Sequence, residues 1–174
     1  QAAEQLWESI YAGKRVDRTL REAVFWMLIT GTGFLKTWWD DNAIDEIDNT
    51  MGDICISAET PWHIFVPDFR VEDIEDQPFV IHVSVKEVSV LNKQYEGVLK
   101  APLIPDTKGT DDILSAAVLD LSGTNKDVKD GVTVYEVWIK PNVVSMFPEG
   151  AMFTVAGGQL LQAYQGWPYA HKQF

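Results

Sequence analysis

One cysteine, three histidines and few basic residues are what this chain has least of, and each scarcity excludes something. A lone Cys55 closes no internal disulfide and builds no cysteine-based zinc site, so a small buried hydrophobe on a strand is expected there. The longest apolar run, Ala23–Ile29, is far short of the roughly 20 residues that span a bilayer. Gln1–Gln5 is polar, without the basic start and apolar core of a signal peptide. A chain that begins at Gln1 without a methionine is expected to be a fragment or a processed product, made in the cytoplasm. With 14 Lys and Arg against 26 Asp and Glu, the net charge is -12. Such a surface repels a phosphate backbone and disfavours adhesive nucleic-acid binding, though not a conduit that lets nucleic acid pass. The acidic runs Glu46–Asp53, Glu72–Asp76 and Asp106–Asp112 read as solvated faces.

What is present suits a globular domain: 46% of the 174 residues are hydrophobic, enough to bury a core. Ala3, Leu6, Trp7, Ile10 and Tyr11 form one helical stripe, which Gly13 interrupts. A second helix is predicted from an N-cap at Asp17, with Leu20, Ala23, Val24, Met27 and Leu28 on one face. Phe25, Trp26 and Ile29 widen that face, so burial on more than one side is expected, with Gly31 as the left-handed C-terminal cap. Phe34–Trp39 reads as a strand that Asp40 ends at the surface, before an acidic loop through Met51. Further strands are predicted at Asp53–Ala58, Trp62–Val66, Phe79–Val83 and Val132–Lys140. A hairpin joins Ala151–Ala156 to Gln159–Ala163 through Gly157-Gly158. Short helices are expected near 85–92, capped by Ser84, and near 110–121. Helices first and strands after predict an α+β fold: one domain, with helices over 1–30 packed on a mostly antiparallel sheet within 31–174.

The chemistry tests fail one by one. Gly31-Thr32-Gly33 has Lys36 where G-x-G-x-x-G needs its third glycine, and it follows a helix instead of opening one. A phosphate needs helix N-terminal amides, and this corner offers C-terminal carbonyls; Gly31 and Gly33 are therefore read as a structural corner. Asp40, Asp41, Asp45 and Asp48 do not fit a calcium loop, because a count from Asp41 puts Ala43 at position 3 and Gly52 at position 12. His63, His82 and His171 are dispersed, the first two in predicted strands where a hydrogen-bonded structural role is expected. No serine lies in a G-x-S-x-G elbow, and no pair of carboxylates is singled out. No catalytic, cofactor or metal residue is assigned, and an enzyme is not expected; a hydrolase using metal on Asp40, Asp41 and Asp45 is the weakest rival.

Seven tryptophans are many for this length. Trp7, Trp26, Trp62 and Trp138 fit core positions. Trp38 and Trp39, adjacent on a strand, point to opposite faces, so one of them needs a second packing surface. Trp39, Trp62 and Trp167 are the candidates for a subunit interface or second-layer packing, or, in a rival reading, for a β-rich module that binds glycan or peptide.

Several phrases occur in an order that resembles the portal proteins of tailed bacteriophages. Leu20–Asp40, ending G-T-G-F-L-K-T-W-W-D, is similar to the family's helix, glycine corner and strand of the type G-x-G-F-x-K-(V/T)-x-(W/Y)-D. Ile54–Pro67 resembles the strand pair leading to V-x-P-x-x-(V/F)-x-x-D-P, with Pro67-Asp68 inverting the last two residues. Phe79–Tyr95 resembles the following strand and short helix, Val134–Lys140 the V-x-E-x-(W/Y)-x-(R/K) strand, and W-P-Y-A-H-K-Q-F the segment before the stem. Asp106–Val128 has no family counterpart. The resemblance implies a wing fragment, upstream of stem and clip, of a ring that is usually dodecameric and sits at one capsid vertex of the virion. It also implies partners: terminase, capsid or scaffold and head-completion proteins, with double-stranded DNA passing through unbound, no membrane, no cofactor and no catalytic residue.

Overall fold

The computed structural model describes residues 2–44, 51–71, 73–106 and 130–166. Its fold is α+β, with, among the described residues, three α-helices and seven strands in two antiparallel sheets. By internal contacts the chain forms two compact units, Gln1–His63 and Ile64–Phe174, so the two N-terminal helices share their unit with the first two strands.

In the first unit, α1 (Ala2–Gly13) turns into α2 (Val16–Thr30) through Lys14 and Arg15, the latter left-handed at φ 49°. Arg15 thus occupies the N-cap position without a side-chain cap bond, and Asp17 lies within the first turn, where its charge favours the helix dipole. At the other end Gly31, at φ 84°, donates its N–H to Met27 O, the left-handed cap the sequence suggests. Strand β1 (Phe34–Ile44) pairs with β2 (Met51–Glu59), Trp39 opposite Ile54. The strand continues four residues past Asp40, with an irregular register between Asp40 and Ile44, so Asp40 does not end it.

Helix α2 is set on this hairpin by its small residues. A Cβ on Gly33 would lie 2.4 Å from Ala23 O, so the chain leaving the corner runs directly against the helix backbone. That contact turns Val16, Thr19, Ala23, Trp26 and Thr30 inward at helical spacing, Val16 and Ala23 buried and the others partly so. Of the expected apolar face only Ala23 is buried: Leu20, Val24 and Met27 are exposed and Leu28 is 77% exposed. A two-stranded ribbon has too little surface to cover a helix that is apolar on most sides.

The second unit is a meander, β3-β4-β5-β6-β7, with β3 (Ile64–Phe65), β4 (Phe79–Glu87), β5 (Gly131–Ile139), β6 (Ala151–Ala156) and β7 (Gln159–Gln165). The predicted strand over Trp62–Val66 forms only at Ile64–Phe65; Trp62 and His63 belong to a 3-10 turn, Pro61–His63, which places His63 off the sheet. Strand β4 runs on through Glu87, so α3 (Val88–Gln94) starts later than Ser84 would cap it. Gly157 and Gly158, at φ 53° and 71°, supply the two left-handed residues of the tight β6–β7 turn. Val88 and Leu91 of α3 pack with Leu103 on Val132, Val134, Ala156 and Leu161, and this is the core. The expected helix at 110–121 lies outside the described residues.

Loops in this unit are held by side-chain amides. Asn92 Oδ1 accepts from Leu103 N–H at 2.8 Å, and Gln159 Oε1 accepts from Lys100 N–H at 2.9 Å while its Nε2 donates to Ala101 O. Asp106 N–H donates to Gly131 O, and its carboxylate accepts from Thr133 N–H at 2.9 Å. Each clamp satisfies backbone groups that have no ladder partner.

Candidate interaction surfaces

The corner glycines and the hairpin glycines serve the architecture just described. The tryptophans divide differently from expectation. The Trp39 ring packs against the bare backbone of Gly52, where an added Cβ would meet it at 2.3 Å, and 58% of the residue stays exposed. Along β1, Leu35, Thr37 and Trp39 alternate and are all exposed. Trp38, on the opposite face, has the Lys36 ammonium 5.4 Å from its ring centroid. Trp62 meets Trp26 edge-on at 5.6 Å and Trp26 meets Phe25 likewise, but Trp62 is 39% exposed. Trp7 is exposed too, tilted against Tyr11 on α1, so neither Trp7 nor Trp62 is a core residue. Trp167 and His171 lie outside the described residues, as do Asp45 and Asp48.

The outer stripe of α2 follows from its rotational setting. Arg18, Arg21, Phe25 and Leu28 are spaced i, i+3, i+7, i+10 and are all exposed, so the stripe is basic in its first half and apolar in its second. Arg21 pairs with Asp17 one turn earlier at 3.6 Å. Nearby, Lys14 hydrogen-bonds Asp53 on β2, and this bond, with the favourable ammonium charge, holds the Asp53 carboxyl below the usual carboxylate range. Cys55, two residues on, is partly exposed in place of the expected full burial; desolvation, then the Asp40 charge, pushes its thiol up.

The second unit presents a different feature, which the sequence did not single out. Phe69 sits at the tip of a turn, closed by Val71 N–H donating to Asp68 O, and is 85% exposed. The turn is clamped from below by Gln77, itself 2% exposed: its Nε2 donates to Asp68 O at 2.6 Å and its Oε1 accepts from Asp68 N–H at 3.4 Å. From above, Arg70 Nε and Nη2 bind both carboxylate oxygens of Asp68 at 3.0 Å, which lowers the Asp68 pKa and raises that of Arg70. The 3-10 turn Ile74–Asp76 follows, capped by Asp73 accepting from Glu75 N–H, and carries exposed acids beside a half-exposed Ile74. Pro67-Asp68 marks a turn in the sequence, but the clamp comes from nine residues away, so no local signal names Phe69 as its tip.

Among the described residues the sheet also buries a polar pair. His82 on β4 and Glu136 on β5 face each other in register, 4% exposed in the case of His82, with Nδ1 3.5 Å from Glu136 Oε2. Tyr95, at the end of α3, has its hydroxyl pKa raised by burial first and then by the Glu136 and Tyr164 charges. A buried imidazole beside a carboxylate is chemically able to exchange a proton, but the open hollow of about 450 Å³ beside α3 is lined by Asn92, Glu96, Leu99 and Lys100 and not by this pair. Among the described residues no group of three or more His, Cys, Asp or Glu is arranged to hold a metal ion, and no helix is long and apolar enough to cross a membrane. No protein-family model matches the chain, and a search of curated proteins finds no match.

Proposed function

We propose that the chain is part of the wing of a phage portal, a ring at the capsid vertex that forms the channel for double-stranded DNA and joins head to tail. The observation that carries this reading is the order of sequence phrases from Leu20 through Lys140 to the closing W-P-Y-A-H-K-Q-F. The outward apolar stripe of α2 and the exposed Trp39 support it, because contiguous exposed apolar surface suits a chain that works in contact with other chains. The acidic balance suits a conduit, which must let DNA slide. Terminase, capsid or scaffold and head-completion proteins would be its partners, the virion its location, and its role structural, without catalysis. Electron microscopy of the full-length parent chain tests the reading: closed rings are expected, and a parent that stays monomeric under all assembly conditions overturns it.

The Phe25–Trp26–Trp62 aromatic group favours a second reading, a module that binds glycan or peptide. Its test is tryptophan fluorescence against glycan and peptide panels, where a response that saturates supports it and a silent screen removes it.

A further inference from the structure

We propose that the Phe69 turn of one copy docks on the outer stripe of α2 of a second copy, a head-to-tail contact between identical chains. The proposal rests on the reading of the chain as one subunit of a ring and names the surfaces through which neighbours meet.

Three observations carry it. The first is preorganisation. An aromatic ring that is 85% exposed gains nothing for its own fold, yet its turn is fixed by the buried Gln77 amide and by the two-pronged Arg70–Asp68 pair. A rigid projecting aromatic loses little conformational freedom on binding and is the kind of residue that anchors an interface. The second is apolar complementarity: Phe25 and Leu28 on α2 form an exposed apolar patch, and Phe69 with Ile74 is an exposed apolar projection.

The third is charge. Copies that each carry -12 repel one another, so association needs a positive patch on one to meet a negative patch on the next. Four of the 14 basic residues, Lys14, Arg15, Arg18 and Arg21, fall within eight positions around the start of α2, the densest basic stretch in the chain. Lys14 is engaged by Asp53 and Arg21 by Asp17, and the stretch keeps a net positive charge that Arg15 and Arg18 present at exposed positions. Asp73 and Asp76 follow the Phe69 turn and are exposed. Acid beside an aromatic projection on one unit and base beside an apolar patch on the other make a two-part match. The surfaces differ, so the contact is heterologous: it propagates from copy to copy and closes into a ring when the rotation allows.

The test is sedimentation of the 174-residue chain from about 1 μM to about 1 mM, a range that covers weak interfaces. Concentration-dependent association is expected. Phe69→Ser, at an exposed position that leaves the fold intact by circular dichroism, should weaken it about tenfold or more. R18E/R21E should do the same, and adding D73K/D76K to that chain should restore association. With Cys55 changed to serine, Phe25→Cys plus Phe69→Cys should give disulfide-linked dimers and larger species under oxidation. Association indifferent to Phe69→Ser and to the charge swap, or a disulfide that forms within single chains, overturns the inference and leaves the ring reading standing. A chain that remains monomeric over the whole range while its full-length parent forms rings also overturns this contact. A parent that forms no ring removes both.

Discussion

The two units solve the burial problem in opposite ways. Of the twelve buried hydrophobic residues among the described ones, the first unit contributes two, Val16 and Ala23, and the second contributes the rest. Of the large exposed hydrophobics, about half lie in the smaller first unit, six of them on α2 alone. Among its described residues the second unit has five strands, one α-helix and amide-clamped loops, so its core apolar side chains find partners on the same chain. The first has one ribbon for two helices. Apolar sequence there yields an apolar surface.

The contrast can be broken most strongly at paired leucines. Leu91, 3% exposed in the core of the second unit, should cost about 2–5 kcal/mol when changed to alanine, through lost transfer energy and the cavity left behind. Leu28→Ala, at 77% exposure on α2, should change stability by no more than about 0.5 kcal/mol in the monomer. Urea unfolding of both variants measures this, and equal losses would end the comparison.

Close approach replaces core packing in the first unit, and the corner tests that. Gly33→Val puts a side chain onto Ala23 O and should destabilise by about 1–3 kcal/mol, read as lost helical circular dichroism at lower urea. Gly31→Ala has open space around it but a φ of 84°, so about 1 kcal/mol is expected from backbone strain alone. If Gly31→Ala costs more than Gly33→Val, the cap and not the contact fixes the helix.

The clamps sharpen the comparison from the other side. Asn92→Ala strands the Leu103 N–H and should cost about 1–3 kcal/mol, with faster amide hydrogen exchange at Leu103 as its local signature.

The smallest effect is that of pH on the Lys14–Asp53 pair. Lys14 lowers the Asp53 pKa in the folded chain below its ordinary 3.8, so the folded state holds the proton less tightly than the unfolded one. The contribution is therefore complete above about pH 4 and is lost as pH falls through the folded pKa. Because the pair is only partly buried and solvent screens it, the stability change should be slight. Carboxyl NMR should place the Asp53 midpoint below 3.8 and return it toward that value in Lys14→Met.

Periodicity alone carried much of the fold. The two helices, the left-handed glycine at 31, the ribbon strands, β5 and the Gly157-Gly158 hairpin are each legible because helical spacing, strand alternation and φ > 0 are local requirements. The α+β class followed from their order. What local pattern could not supply was which partner each apolar face receives. Leu20, Val24 and Leu28 have core-type spacing, yet the tight pass of Gly33 over Ala23 turns the adjoining stripe of Val16, Thr19, Trp26 and Thr30 inward. Phe69 is one aromatic among many in the sequence and becomes a projection through Gln77, nine residues away. His82 and Glu136, 54 positions apart, meet through strand register. The sequence by itself determined where the chain would coil, pleat and turn, since those choices depend on neighbouring residues. Tertiary structure alone decided what is buried and what is offered, since burial depends on how much surface the rest of the chain can bring to a given face.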